Sequence, residues 1–176
     1  MMRIATATLM AFMLTFSASA QSDMKKIYDE TADPAQQIRQ AVAKADSQDK
    51  FVICQVGGNW CRWCLMFADF ITSDSEVSEL INNNFVYIHV NYNPRDRNDA
   101  EKAAKARKML ESLGNPDRFG FPALVVLDNG GKVVHIQDSS FLEEGNGYSK
   151  QKVLRFLKFH LRRCTTLPWK QNDIDL

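Results

Sequence analysis

The sequence lacks an excess of charge of either sign once its first twenty residues are set aside. Arg3 is the only charged residue in that segment, so residues 21–176 carry 21 basic and 21 acidic side chains. Nucleic acids and anionic lipid surfaces attract proteins through a positive field. We therefore expect no nucleic-acid partner.

Long apolar runs are missing after residue 20, and the one at the start is short for a membrane-spanning helix. Residues 4–16 are apolar and uncharged, they follow the basic Arg3, and Ala18-Ser19-Ala20 has the small-x-small form of a signal peptidase site. We predict that residues 1–20 are a signal peptide and that the mature chain has no membrane span. A buried helix or a membrane anchor is the alternative. Export would place the chain in a periplasm, or otherwise outside the cell or in a secretory lumen.

Cysteine is scarce, with four residues in the chain, and Cys61 and Cys64 alone have the C-x-x-C spacing. The pair could be half of a zinc site, but there is no second C-x-x-C and no H-x-x-x-H. Haem attachment needs a histidine after the second cysteine, where Leu65 stands. We expect no metal and no cofactor. Cys54 is interpreted as an inert core residue, and Cys164 as either a free thiol or an intermolecular contact.

Apolar periodicity and turn residues predict an α/β fold. Residues 21–32 are interpreted as a loose polar arm, 33–164 as the folded domain and 165–176 as a polar tail. The predicted helices cover about 34–45, 61–70, 75–81, 99–113 and 149–163. The predicted strands cover 51–56, 85–90, 122–127 and 133–136. Two helical crossovers followed by a hairpin predict a mixed β-sheet with helices on both faces.

The C-x-x-C pair falls where a buried strand and a Gly57-Gly58 turn lead into a helix. The N-terminus of a helix carries partial positive charge and free N–H groups, which favour a thiolate. A thiolate is the nucleophile in disulfide exchange. Cys61 is predicted at the exposed end of the helix, with Cys64 one turn further in, where it can close a disulfide with Cys61.

Three stretches carry a family resemblance. Asn59-Trp60-Cys61-Arg62-Trp63-Cys64, the strand before it, and Gly120-Phe121-Pro122-Ala123 resemble the thioredoxin superfamily, and most closely its exported members of the thiol–disulfide interchange type. The resemblance implies a thioredoxin-like fold, a redox-active disulfide between Cys61 and Cys64, attack by Cys61 and resolution by Cys64. It further implies a cis peptide bond before Pro122, beside the thiols, that presents a backbone edge to substrate. Trp60, Phe121 and Pro122 are the predicted substrate-binding residues.

Two positions depart from the family pattern. Gln55 stands where many members have a buried carboxylate, and Arg62-Trp63 replaces Gly-Pro between the cysteines. A cation at Arg62 would lower the pKa of Cys61 and make the pair more oxidising, whereas Trp63 could instead shield it. His89, His135 and His160 are scattered, and we expect structural or exposed roles for them.

These observations predict an exported protein disulfide oxidoreductase, whose partners are exported protein thiols or disulfides and a redox partner protein. Gln55, which cannot titrate, keeps open an alternative in which the fold is a redox-inert module that binds client proteins. A thiol peroxidase is less well supported, because the threonine-containing approach to the reactive cysteine of peroxiredoxins is missing.

Overall fold

The computed structural model describes residues 24–164, with side chains up to Leu161. The predicted signal peptide, the C-terminal tail and the side chain of Cys164 lie outside this described part. Four strands form one mixed sheet in the order β2-β1-β3-β4. The strands are β1 (Phe51–Gly57), β2 (Phe85–Asn91), β3 (Ala123–Leu127) and β4 (Val133–Asp138).

Strand β1 lies inside the sheet and all seven of its residues are buried. It pairs in parallel with β2 and antiparallel with β3, and β3 continues antiparallel to β4. Parallel strands need a long crossover connection, and helices supply it between β1 and β2. The antiparallel strands β3 and β4 are joined instead by the tight turn at Asp128-Asn129-Gly130-Gly131. Both connections agree with the sequence-based prediction.

Within the described residues five α-helices surround the sheet, and several begin at residues that the sequence marks as caps. They are α1 (Pro34–Ser47), α2 (Arg62–Ser73), α3 (Ser75–Asn84), α4 (Ala100–Ser112) and α5 (Lys150–Cys164). The carboxylates of Asp33, Asp74 and Asp99 accept hydrogen bonds from backbone N–H groups in the first turns of α1, α3 and α4. None of the helices in the described range is both long and apolar enough to cross a bilayer.

The alternation of side chains along β1 divides the core into two layers. Ile53 faces helices α2, α3 and α5, whereas Val52, Cys54 and Val56 face α1 and α4. Gln55 shares its face with Ile53, which places it under the start of α2. Cys54 is fully buried on the opposite face, as predicted.

Short elements lie between the predicted helices and strands. A 3₁₀ turn occupies Pro94–Asn98, and a two-strand ribbon, β5 (Glu143–Glu144) and β6 (Gly147–Tyr148), lies just before α5. A run of two residues is too short for a periodic pattern, so sequence alone could not have shown this ribbon.

Candidate active site

The end of β1 and the start of α2 position the cysteine pair. Cys61 is the N-cap of α2, and its N–H donates to the carbonyl of Gly58 at 3.0 Å, which closes the turn between the two elements. Cys64 lies one turn further along. The two sulfurs are joined in a disulfide with a Cα–Cα distance of 5.2 Å. The C-x-x-C spacing therefore does bring the two predicted thiols together.

The two sulfurs differ in access and in polar surroundings. Cys61 keeps 7% of its surface exposed, whereas Cys64 has none. The N–H of Cys64 donates to Cys61 Sγ at 3.2 Å, and this bond would become stronger to a thiolate. Arg62 is exposed beside the pair. Cys61 is thus the more accessible cysteine of the pair, and it lies at the helix terminus, where partial positive charge favours an anion.

An aromatic rim lies beside Cys61. Trp60 is 48% exposed, and its ring meets Phe121 edge to face with the centroids 5.5 Å apart. The carbonyl oxygen of Phe121 lies 3.6 Å from Cys61 Sγ, and the Phe121–Pro122 peptide bond is cis, as predicted. The structure thus brings the three predicted substrate-binding residues to the same edge of the pair.

Tyr92 also belongs to this rim, and the sequence did not predict its role. Its ring stacks on Phe121 at 5.1 Å, and its carbonyl accepts the indole N–H of Trp60 at 2.7 Å. Gly58 makes the arrangement possible, because a Cβ at that position would collide with the indole of Trp60 and lie 2.9 Å from the Tyr92 carbonyl. Tyr92 directly follows β2, in a loop without periodicity, so nothing local indicated this role.

A buried network of neutral hydrogen bonds lies beneath Cys64. The side-chain amide of Gln55 donates to the Cys64 carbonyl at 2.9 Å and to the Tyr28 hydroxyl at 2.7 Å. Its oxygen accepts the hydroxyl proton of Tyr87 at 2.6 Å. Gln55 is fully buried, and both its amide nitrogen and its amide oxygen form hydrogen bonds. The position at which many members of the superfamily have a buried carboxylate therefore holds a neutral amide whose hydrogen bonds are satisfied.

The segment before α1 is not the loose arm that the sequence suggested. Tyr28 is only 4% exposed and, with Met24 and Ile27, packs against the two cysteines. Asn59 holds the segment in place by accepting the N–H groups of Ile27 and Tyr28 and donating to the Tyr28 carbonyl, at 2.9–3.1 Å. Three apolar or aromatic residues within a polar stretch, Met24, Ile27 and Tyr28, were the local indication of this docking.

Burial sets the charge state of the groups near the network. It raises the pKa of the phenols of Tyr28, Tyr87 and Tyr148. It also lowers the pKa of His89 to about 4. All four side chains are therefore neutral near pH 7, and the environment of Cys64 is polar without being charged.

The remaining predicted residues lie away from the pair. Burial raises the pKa of Cys54 to about 12, so its thiol stays protonated on the far face of the sheet. His135 and His160 pack ring to ring at 4.9 Å between β4 and α5. Within residues 24–164 no cluster of three or more His, Cys, Asp or Glu side chains is placed to hold a metal ion.

A mixed four-stranded sheet, a disulfide at the N-terminus of the first helix after the central strand, and a cis-proline beside it define a thioredoxin-fold protein with a C-x-x-C disulfide. A family model labelled Thioredox_DsbH, described as a protein of unknown function, DUF255, matches residues 17–161. The chain belongs to this family. No curated protein sequence matches the chain.

Solved structures agree with this fold. The chain is similar to a structure described as a disulphide isomerase from Xylella fastidiosa Temecula1, with 25% identity and a TM-score of 0.63 over 76% of this chain and 95% of that chain. A structure described as DsbH oxidoreductase has 19% identity and a TM-score of 0.51 over 90% of this chain and 95% of that one, and it supports the fold alone. The predicted thioredoxin-like α/β class is confirmed.

Proposed function

We propose that this chain is an exported thiol–disulfide oxidoreductase that exchanges protein dithiols and disulfides through Cys61 and Cys64. The observation that carries the proposal is the disulfide at the start of α2, in which Cys61 is slightly exposed and Cys64 is fully buried. The similarity to a structure described as a disulphide isomerase supports the same chemistry.

The geometry supports a two-step exchange. In the reduced protein, the Cys61 thiolate attacks a substrate disulfide, forms a mixed disulfide with one substrate sulfur and releases the other as a thiolate. Cys64 then attacks Cys61 Sγ, forms the internal disulfide and releases the second substrate thiol, which takes up the proton that Cys64 loses. The substrate gains two electrons and the protein loses two. The reverse sequence oxidises a substrate dithiol.

Trp60, Phe121 and Pro122 are proposed to bind the substrate, with Tyr92 as an added member of the rim. An exposed indole next to the reactive sulfur offers a flat apolar surface to a peptide side chain. The partners are then exported protein thiols or disulfides, together with a redox protein that restores the pair. Sequencing the amino terminus of the periplasmic protein tests export, with Gln21 expected as the first residue.

Replacing one cysteine at a time tests the assigned order of attack. In Cys64→Ser the release step is lost while attack by Cys61 persists, so mixed disulfides should accumulate and disappear on reduction. In Cys61→Ser the remaining thiol is fully buried, and few adducts should form. Non-reducing gels of both variants after acid quenching measure the adducts.

The matched control carries Cys164→Ser together with each substitution, because a thiol outside the pair could form adducts of its own. Equal adduct levels in the two variants, or adducts that need Cys164, would show that the nucleophile is wrongly assigned. Failure to reduce insulin in the presence of dithiothreitol would favour the redox-inert client-binding module, which the neutral Gln55 supports.

A further inference from the structure

The hydrogen bonds of Gln55 determine which way the Tyr28 hydroxyl proton points. The Cys64 carbonyl can only accept, so the Gln55 atom that faces it at 2.9 Å is the amide nitrogen. The same nitrogen lies 2.7 Å from the Tyr28 oxygen. An amide nitrogen cannot accept a hydrogen bond, so Tyr28 accepts there, and its own proton is directed elsewhere.

The sulfur of Cys64 lies close to this hydroxyl. A Cβ built on Gly57 would be 2.5 Å from Cys64 Sγ and 2.8 Å from the Tyr28 oxygen. The two atoms are therefore no farther apart than the sum of those distances, and both border the space in front of Gly57. Any side chain at position 57 would collide with both atoms, so glycine leaves the hydroxyl free to approach the sulfur when the disulfide opens.

We propose that Tyr28 donates a hydrogen bond to the Cys64 thiolate in the reduced protein and thereby promotes release of substrate from Cys61. Tyr28 is a positioning residue for the resolving thiol. The consequence for release depends on the function proposed above, but the hydrogen bond itself does not. In the oxidised protein the sulfur carries no charge, and the hydroxyl gains little from it.

The groups around Cys64 are neutral, so its thiolate depends on hydrogen bonds such as the one from Tyr28. The titratable groups that pack around the network are Tyr87 and His89 on β2, Tyr148 on β6 and Cys54 on the other face of the sheet, and burial keeps all four neutral near pH 7. A thiolate forming at Cys64 therefore depends on neutral donors. A hydrogen bond to a charged group is about twice as strong as one between neutral groups.

The test follows the ionisation of Cys64 in a Cys61→Ala background, which cannot exchange disulfides. The rate of alkylation by iodoacetamide is measured against pH, with mass spectrometry of the Cys64 peptide separating it from the other cysteines. The midpoint of this pH profile reports the ionisation of Cys64. Tyr28→Phe should raise that midpoint by about one pH unit, so that about a tenfold smaller fraction of Cys64 is thiolate at neutral pH. Tyr148→Phe is the matched control, since its hydroxyl donates to the Trp63 carbonyl at 3.2 Å and not to Cys64, and its midpoint should not move.

A second variant keeps the test informative if Tyr28→Phe does not fold. Placing 3-fluorotyrosine at position 28 makes the phenol a stronger donor and should lower the midpoint instead of raising it. An unchanged midpoint in either folded variant, or the same change in Tyr148→Phe, would overturn the proposal. If the midpoints move as expected but the unmodified protein exchanges no disulfides, the hydrogen bond stands and the proposed function fails.

Discussion

His89 is a residue near the site whose charge in mild acid depends on folding. It lies on β2, and its ring contacts Tyr28 and Tyr87 edge to face, at 5.4 Å each. Its Nε2 is buried, and within the described residues it has no hydrogen-bond partner. Protonating this ring would place a charge under the N-terminal segment with nothing to balance it, which is why burial lowers its pKa to about 4.

The stability of the protein should fall in mild acid because of this histidine. The unfolded imidazole takes up a proton near pH 6.5, whereas the folded one does so only near pH 4. Between these values the unfolded state binds more protons, so the free energy of unfolding decreases as the pH falls, by up to about 3 kcal/mol. Urea unfolding at several pH values in this window measures the decrease.

The control for this prediction is His89→Gln, which keeps a polar side chain of similar size and cannot titrate. The lowered pKa values of Asp29, Asp74, Glu76 and Asp99 also reduce stability in acid, but they do so equally in both proteins. The difference between the two pH profiles therefore isolates His89. Parallel profiles would contradict the prediction.

Among the larger elements, the segment before α1 is attached to the turn before α2 by one side chain. Asn59 makes three hydrogen bonds to the backbone of Ile27 and Tyr28 and a fourth to the Glu30 carboxylate. The segment thus docks against the site without joining either sheet. Its position decides where the Tyr28 hydroxyl lies relative to Cys64.

Asn59→Ala should loosen this segment without unfolding the domain. The loss of several partly buried hydrogen bonds is expected to cost about 1–3 kcal/mol of unfolding free energy. Amide hydrogen exchange should accelerate in residues 24–32 and stay unchanged in the sheet. Asn82→Ala is the matched control, because that side chain makes a single 3.4 Å contact on the exposed surface of α3. Equal exchange in both variants would show that Asn59 does not hold the segment.

Local sequence was sufficient to predict the elements that carry the cysteine pair, but insufficient for the segment that covers it. The strand before Gly57, the helix after Cys61 and the cis bond before Pro122 were predictable, because apolar runs, glycine turns and the family pattern are contiguous in the chain. Tyr28 meets its partners about thirty residues away in sequence. The spacing of apolar residues predicts local helices and strands but not contacts between distant segments. A short polar segment such as residues 24–32 also has too few apolar residues to show a periodic pattern.

At the scale of the whole molecule, the sheet separates two thiol environments. Cys61 and Cys64 lie at the end of the sheet where α2 begins, whereas Cys54 faces α1 and α4 and pairs across the strands with Ile88 and Val125. The separation follows from the period of two along β1, in which Cys54 and Gln55 must face opposite layers.

Cys54→Val should therefore leave the proposed disulfide exchange unchanged. Valine matches the neighbouring strand residues and fills a similar volume, so the expected change in unfolding free energy is below about 1.5 kcal/mol. The potential of the Cys61–Cys64 pair against glutathione and the adduct pattern of Cys64→Ser should both persist in the variant. A clear shift of the potential would show that the two faces are coupled.

The same separation has a consequence for the newly made chain. Before β1 has paired with its neighbours, Cys54 is joined to both Cys61 and Cys64 by short flexible loops, which close readily. An oxidant that meets the chain at that stage can link the wrong sulfurs. After the sheet has formed, Cys54 lies behind it and that error is no longer accessible. The relative timing of sheet assembly and oxidation should therefore affect how much of the protein acquires the Cys61–Cys64 disulfide.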